Sequence, residues 1–123
     1  MAEAVPEGFH VDLDERTKPD FLEDARYRLP VHPVAVAWPA ILCDPPYTLE
    51  DAKQYAVDTD RLPRANGLLK NALQAVRVGG RVGMLHYILP QPPREGVKFI
   101  ACVGVIVGYN NRMRVFSVFE RLA

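Results

Sequence analysis

The chain has 123 residues, of which 49% are hydrophobic and 24% are charged, and these proportions fit one small soluble domain with a packed core. Fifteen lysines and arginines balance fifteen aspartates and glutamates, so the formal net charge is zero. This balance argues against a surface that coats nucleic acid through positive charge over its whole area, although a local basic patch is compatible with it.

The amino-terminal residues contain no apolar core of a signal peptide, and the longest apolar stretch, Ile100–Val107, is too short to span a bilayer. Cys43 and Cys102 both lie in apolar runs, which predicts small buried side chains and a reducing compartment. The three histidines are scattered and have no Cys-x-x-Cys pair nearby, so the sequence predicts no metal site. We expect a single domain over residues 1–123, with residues 1–8 disordered or accessory, in a soluble cytoplasmic protein.

The first third of the chain predicts only short elements. Residues Phe9–Leu13 favour a short strand that ends in acidic residues, and Asp20–Arg28 has a spacing compatible with a helix. Pro30 follows at once and stops regular structure. Residues 30–39 carry three prolines, which predicts a loop.

Trp38–Cys43 is the clearest strand in the sequence. Its residues are all apolar, and Asp44 is the first polar residue after them. A strand without polar alternation is typical of a parallel sheet that is covered on both faces. We therefore predict that this strand is buried on both faces and that Asp44 stands at its carboxyl end.

Two helices are predicted after this strand. Thr48 suits the N-cap of the first helix, which extends to about Ala56, and Pro63 suits the first turn of the second. The pair Gly79-Gly80 is predicted to end the second helix as a C-cap. Apolar residues recur at helical spacing in that helix, namely Leu68, Leu69, Ala72, Leu73, Ala75 and Val76.

The last third of the chain predicts strands. Arg81–Tyr87 is followed by the proline-rich loop Leu89–Gly96. Val97–Tyr109 and Met113–Leu122 then form an antiparallel hairpin around an Asn110-Asn111 turn. This order of elements predicts a mixed α/β sheet that is covered by helices.

The tetrapeptide Asp44-Pro45-Pro46-Tyr47 is the feature that carries chemistry. In an open α/β sheet, ligands bind beyond the carboxyl ends of the strands, where Asp44 is predicted to stand. An exocyclic amino group on a base is a poor nucleophile, because its lone pair is delocalised into the ring. A carboxylate and a backbone carbonyl that each accept one N–H favour a pyramidal nitrogen, and Tyr47 can stack on an extruded base. The pattern therefore favours methyl transfer to a base amino group through positioning and electrostatics.

Ala40–Tyr47 resembles the catalytic motif of the DNA adenine amino-methyltransferases, which are class I enzymes that depend on S-adenosylmethionine. Leu73–Val82 is similar to the passage from a helix into the fifth strand of that fold, and Val97–Leu122 is similar to its closing antiparallel strands. The resemblance covers residues 9–122. It implies an α/β fold with a truncated Rossmann-like methyltransferase sheet, which is mixed and ends in a C-terminal antiparallel hairpin.

The resemblance also implies S-adenosyl-L-methionine as the cofactor. It assigns Asp12 or Asp14 to the cofactor ribose and Asp24 to the cofactor adenine, with exposed strand-end charges and a solvated charge near a turn as the alternatives. One departure is plain, since the family has a glycine-rich turn after its first strand, whereas only Gly8 precedes Val11 here. The cofactor site is therefore expected to be incomplete in this chain.

The function that this resemblance implies is an amino-methyltransferase acting on adenine in DNA. His86 and Tyr87 could line the same cleft, with structural packing as the alternative. The alternative functions are an RNA base methyltransferase and a truncated, inactive methyltransferase fold that acts as an oligomeric binding module. Because the missing first strand would leave Trp38–Cys43 at an apolar edge, we expect a homo-oligomer or a complementing chain. No membrane partner is expected.

Overall fold

The structure is a computed structural model that describes residues 8–12, 15–22, 24–33, 35, 37–45, 64–106 and 113–123. The predicted helix at Thr48–Ala56 and the Asn110-Asn111 turn lie outside these residues. Three predicted site residues also lie outside them, namely Asp14, Pro46 and Tyr47.

The described elements follow one another in the order of a mixed α/β fold. They are β1 (Val11–Asp12), a 3-10 turn (Glu15–Thr17), β2 (Phe21–Leu22), β3 (Trp38–Cys43), α1 (Ala65–Ala75), β4 (Val76–His86), β5 (Val97–Ile106) and β6 (Met113–Arg121). β1 and β2 pair in parallel as a small sheet, and the other four strands form a second sheet in the order β3-β4-β6-β5. The predicted fold class, a mixed α/β sheet with a C-terminal antiparallel hairpin, is confirmed.

Strand direction divides the larger sheet into two parts. β3 and β4 run parallel, with Cys43 opposite Met84. β6 lies antiparallel to both β4 and β5, which closes the hairpin. The carboxyl ends of β3 and β4 therefore meet at one edge of the sheet, where an open α/β fold binds its ligands.

The core lies between α1 and one face of the sheet. The helix turns its predicted apolar stripe inward, and Leu69 and Ala72 have no exposed surface. Val82, Met84 and Phe119 meet this stripe from the sheet. Replacing a fully buried leucine by alanine costs about 2–5 kcal/mol, which is a large part of the stability of a small domain. The described residues contain no helix that is long and apolar enough to cross a membrane.

β3 is covered on one face only, so the prediction that it is buried on both faces is wrong. Ile41 and Cys43 pack against the core, whereas Ala40 is exposed and Leu42 keeps 50% of its surface accessible. The reason is that α1 packs on one face of the sheet, and among the described residues no helix covers the other face. An apolar run in the sequence predicts a strand, but it does not determine how many faces are covered.

The pair Gly79-Gly80 does not end the helix, contrary to the prediction. α1 gives way to β4 directly at Val76, which already pairs with Trp38. Valine is β-branched and favours extended backbone, so the helix stops before the glycines are reached. The predicted strand at Arg81–Tyr87 therefore begins five residues earlier than expected.

The two glycines form a bulge within β4. The next described pair after the start of the strand is Ala40 with Arg81, so two steps along β3 correspond to five along β4. Gly79 has a φ of +81°, and a Cβ on Gly80 would lie 2.8 Å from the carbonyl oxygen of Arg77. Glycine is therefore required here by a strand bulge rather than by a helix end.

The segment Asp20–Arg28 forms a short strand and a turn instead of a helix. The Phe21 N–H donates to the His10 carbonyl oxygen at 3.1 Å, which pairs β2 with β1. In the turn that follows, the Asp24 carbonyl oxygen accepts the N–H of Tyr27 at 3.1 Å. Pairing with a distant segment overrides the local helical spacing.

Cys102 is exposed, so the prediction that it is buried is wrong. It lies in β5, an edge strand of the larger sheet, and most residues of that strand are exposed. Cys43 is half-buried and packs against the core. The two thiols differ because α1 covers the sheet near β3 and β4.

Candidate functional site

The carboxyl edge of β3 and β4 brings together residues that the sequence singled out. Cys43 ends β3 opposite Met84, so Asp44 and Pro45 follow at the edge at which His86 ends β4. α1 leads directly into the amino end of β4 and packs along it, so the helix begins at this carboxyl edge. Three chain segments therefore meet at one edge.

A hydrogen bond ties two of these segments together. The Gln91 N–H, five residues beyond His86, donates to Asn66 Oδ1 in the first turn of α1 at 2.8 Å. The loop after β4 and the start of the helix therefore lie side by side. Both segments therefore border the carboxyl edge of β3 and β4.

Asp44 is exposed, whereas Cys43 before it packs against the core. Burial raises the pKa of the Cys43 thiol to about 12, and the Asp44 carboxylate adds to this effect. The thiol therefore stays protonated near neutral pH and is no nucleophile. Asp44 is the exposed acid at the end of β3.

His86 is buried at the end of β4, with 7% of its surface exposed. Burial lowers the pKa of its imidazole, so the ring is neutral near pH 7. The Ile88 N–H donates to His86 Nδ1 at 3.2 Å, which leaves the proton of the neutral ring on Nε2. The Tyr87 ring stands edge-on to it, with 6.5 Å between the ring centroids. These contacts favour the structural alternative for His86, which fixes the start of the loop beyond β4.

Asp12 ends β1 and retains some access to solvent. Its Oδ2 accepts a hydrogen bond from the Thr17 hydroxyl at 3.1 Å, and His10 Nε2 lies 3.4 Å from the same oxygen. The Asp12 side chain keeps 30% of its surface accessible. These contacts hold the Asp12 carboxylate beside His10 and Thr17 at the end of β1.

Asp24 is engaged by Arg26. Arg26 Nε donates to both carboxylate oxygens at 3.0 Å, and its backbone N–H donates to Oδ1 at 3.0 Å. The side-chain hydrogen bond from Arg26 lowers the pKa of Asp24, and burial opposes that effect. Asn71 Nδ2 donates to the carbonyl oxygens of Ala25 and Arg26, which anchors this turn on α1. Asp24 therefore stabilises a turn, and fewer of its acceptor sites are left for an adenine amino group.

An aromatic cluster, which the sequence analysis did not find, surrounds the amino end of β3. Phe9 and Phe21 pack against Trp38 with ring centroids 5.3 and 6.1 Å apart. The His32 ring lies 4.5 Å from the Trp38 ring, and the Trp38 indole N–H donates to the Pro30 carbonyl oxygen at 2.7 Å. The cluster joins β2, β3 and the residues just before β1, so it links the two sheets.

Three candidate carboxylates follow members of this cluster along the chain. Asp12 and Asp24 each come three residues after one of its phenylalanines, and Asp44 comes six residues after Trp38. Three residues of extended chain span at most about 10 Å, and six span at most about 20 Å. The cluster thus limits where Asp12 and Asp24 can lie, and it sets Asp44 at the far end of β3. In the sequence, the only local sign of this arrangement is an aromatic residue three or six positions before each of these acids.

An open cleft of about 240 Å³ lies at the amino end of β3, away from Asp44. It contains Trp38 and the last turn of α1, but neither Asp44 nor His86. Open α/β sheets bind ligands at the carboxyl ends of their strands, which is the end opposite to this cleft. In the described part of the chain, no three histidines, cysteines or acids are grouped to hold a metal ion. The residues that line the cleft are Tyr27, Arg28, Leu29, Pro30, Val31, His32, Ala37, Trp38, Asn71, Gln74 and Ala75.

The fold matches that of solved structures. TrmN from Thermus thermophilus superposes on 91% of this chain with a TM-score of 0.58 and 23% sequence identity. The chain therefore shares the mixed α/β fold of TrmN over this span. SMU.1697c from Streptococcus mutans, described as "a putative methyltransferase" and solved in complex with SAH, covers 91% of the chain with a TM-score of 0.47 and 13% identity. That second superposition is too loose to carry an argument.

The likeness to TrmN establishes the fold and leaves the activity open. The chain spans 35% of the length of TrmN and 69% of that of SMU.1697c. No family model matches the sequence, and no curated protein matches it. The function therefore has to be argued from the residues at the carboxyl edge.

Proposed function

We propose that the carboxyl edge of β3 and β4 holds a base amino group for S-adenosylmethionine-dependent methyl transfer, with adenine in DNA as the substrate. The observation that carries this proposal is the position of Asp44 and Pro45. They are an exposed acid and a proline directly after the parallel strand β3 of a methyltransferase-like fold. In open α/β sheets, ligands bind at this place.

The residues of this edge suit a reaction that depends on positioning. The Asp44 carboxylate can accept one N–H of the amino group, and a backbone carbonyl can accept the other. Pro45 has no N–H of its own that would compete for that carbonyl. Two acceptors on one amino group favour a pyramidal nitrogen whose lone pair attacks a methyl group in line. Tyr47 would stack on the base, as the family resemblance implies, and it lies outside the described residues. Such a site works through orientation and electrostatics.

S-adenosylmethionine would supply the methyl group, and the described residues fit one part of it. Asp12 has acceptor sites for ribose hydroxyls. Asp24 is a weaker fit to the adenine, because Arg26 donates to both of its oxygens. Before β3 the sequence has one glycine, Gly8, where the family has a glycine-rich turn for the methionine part. The chain therefore fits the nucleoside part better than the methionine part.

A second copy or a complementing chain would complete the cofactor site at the open side of β3. β3 pairs with β4, and no described strand pairs with its other side. Leu42 is half exposed on this strand. Natural proteins usually cover an unpaired apolar edge, and a strand added here could bring the missing glycine-rich turn with it.

Two alternative functions have specific support. An RNA base is the alternative substrate, because the same two acceptors would hold an amino group of either nucleic acid. A binding module without activity is favoured by the hydrogen bonds from Arg26 that occupy both oxygens of Asp24.

Methyl transfer from tritiated S-adenosylmethionine to genomic DNA and to total RNA tests the proposal. Asp44→Asn removes the charge and one acceptor, so we expect the rate to fall at least about 100-fold. Glu95→Gln, an exposed acid in the loop before β5, should keep the wild-type rate. Incorporation into RNA alone would move the substrate to RNA. Calorimetric binding of the cofactor without transfer would favour the binding module, and the absence of heat would contradict a cofactor site in this chain alone.

Light scattering tests the proposed partner. A dimer or larger assembly, with cofactor binding that rises with protein concentration, is the expected result. A monodisperse monomer that binds the cofactor would contradict completion of the site by a second copy.

A further inference from the structure

Two apolar side chains stand exposed where β4 ends. Ile88 keeps 59% of its surface accessible and Leu89 keeps 46%. They come after Tyr87, the first residue beyond β4, and His86 ends β4 at the edge that Asp44 occupies. Single exposed apolar residues are ordinary on protein surfaces, but two adjacent ones beside a candidate site are a more specific observation.

The backbone of this loop is held on both sides of the two residues. The Ile88 N–H donates to the buried His86 ring, and the Gln91 N–H donates to Asn66 in α1. Pro90 is buried, and Pro92 and Pro93 follow it, so the chain here has little conformational freedom. Two partly exposed apolar side chains are therefore carried on a backbone that is held at both ends.

We infer that Ile88 and Leu89 form an apolar wedge that enters the base stack of a nucleic-acid duplex when the target base is extruded toward Asp44. This inference rests on the proposed function, since it deepens the account of the substrate. Extrusion of a base leaves a gap and costs the stacking of its neighbours. Isoleucine and leucine are among the side chains with which proteins fill such a gap.

The chemistry of the pair favours a duplex over a single strand. Sites for single strands use aromatic rings on which successive bases stack. Ile88 and Leu89 are aliphatic, so they offer no stacking platform and no donor for phosphate. They can fill a space between two bases, which exists only where a stack has been opened.

Fluorescence anisotropy of the full chain with labelled DNA tests the wedge. The probes are a short duplex, the same duplex with one abasic site, and its single strand. The wild-type chain should bind the abasic duplex about tenfold more tightly than the intact one, since its gap can be filled without unstacking a base. Ile88→Ser and Leu89→Ser should each reduce this preference to about twofold or less.

Matched controls come from the opposite edge of the sheet. Val78→Ser, at 59% exposure near the amino end of β4, and Leu122→Ser, at 51% exposure after β6, should keep the tenfold preference. Equal unfolding temperatures of all four variants would show that the fold is intact. If the controls lose the preference equally, or if Ile88→Ser and Leu89→Ser keep it, the wedge is overturned.

The same binding series separates the wedge from the proposed function. The preference for the abasic duplex requires neither cofactor nor methyl transfer, so the wedge can stand where the transfer assay fails. Methyl transfer without any preference for the abasic duplex overturns the wedge alone. Tighter binding to the single strand than to both duplexes also overturns it, and assigns the two residues to contacts with unpaired bases.

Discussion

The two ends of β3 differ in what surrounds them. At the amino end, three aromatic rings pack against Trp38, and its indole N–H bonds to the Pro30 carbonyl oxygen. At the carboxyl end, Asp44 is exposed, and the neighbouring loop exposes Ile88 and Leu89. Aromatic packing and a hydrogen bond hold the amino end, whereas an acid and two apolar side chains are exposed at the carboxyl end. The two kinds of surroundings are therefore separated along a strand of six residues.

Trp38→Ala should give the largest loss of stability, because it removes the ring on which three segments meet. We expect the free energy of unfolding to fall by about 3 kcal/mol. Asp44→Asn, at the other end of the strand, should change it by less than about 0.5 kcal/mol. Urea unfolding followed by far-UV circular dichroism measures both, since Trp38 is the only tryptophan and its fluorescence is lost in the variant. An equal loss of unfolding free energy in both variants would show that the aromatic cluster contributes no more than the exposed acid.

Gly80→Ala should destabilise the amino end by about 1–3 kcal/mol. A Cβ there would lie 2.8 Å from the Arg77 carbonyl oxygen and 3.0 Å from the Pro39 carbonyl oxygen, so the bulge that aligns β4 with β3 must shift. Gly67→Ala is the matched control, because it lies in α1 with nothing within 4 Å of the added Cβ. That helix substitution should stabilise the protein by about 0.5–1 kcal/mol. Thermal unfolding that moves both variants in the same direction would contradict the assignment of the bulge.

Arg26→Gln should cost about 1 kcal/mol at neutral pH, because the bonds from Arg26 to Asp24 are lost. The pKa of Asp24 is lowered in the folded state, so its contribution is complete above the unfolded pKa and is lost as the pH falls through the folded pKa. The stability difference between wild type and variant should therefore shrink below about pH 4. Arg81→Gln is the control, since Arg81 pairs with Glu120 at 3.4 Å with 58% of its side chain exposed and should contribute little. A difference that is constant from pH 7 to pH 3 would exclude this role of Asp24.

His86 should give the smallest effect, which is confined to mildly acidic pH. Burial lowers the pKa of its imidazole, so the unfolded chain takes up the proton first as the pH falls. The contribution of the His86 ring to the free energy of unfolding is complete above the unfolded pKa of about 6.5. It decreases as the pH falls toward the folded pKa. His86→Gln should flatten this part of the stability curve. NMR titration of the His86 ring gives a direct check, and a pKa at or above the ordinary histidine value would contradict the prediction.

Sequence signals were reliable where neighbours along the chain decide the structure. The apolar stripe of α1, the strand Trp38–Cys43 and the C-terminal hairpin were predicted from residues that lie close together in the sequence. Predictions failed where a distant partner decides. Gly79-Gly80 has the signature of a helix end, but pairing of Val76 with Trp38 makes it a strand bulge. The Asp20–Arg28 spacing allows a helix, but pairing with β1 makes its start a strand.

The candidate site divides in the same way. Asp44 could be placed at the carboxyl end of a strand from the sequence, because an apolar run and the first acid after it are local features. The hydrogen bonds from Arg26 to Asp24 could not be predicted in this way. They form in a turn that is anchored by Asn71, which is distant in the sequence. The exposure of Ile88 was also hidden, because it depends on what packs over the loop.

Local patterns in the sequence were sufficient to predict the strand Trp38–Cys43, the apolar stripe of the helix and the acid followed by proline at the end of β3. Contacts between distant segments decide that one face of β3 is covered, that three rings pack on Trp38, and that an exposed apolar pair stands at the edge that Asp44 occupies. The reason is physical. Propensity and periodicity act between residues a few positions apart, whereas burial and pairing depend on segments that meet only in the folded chain.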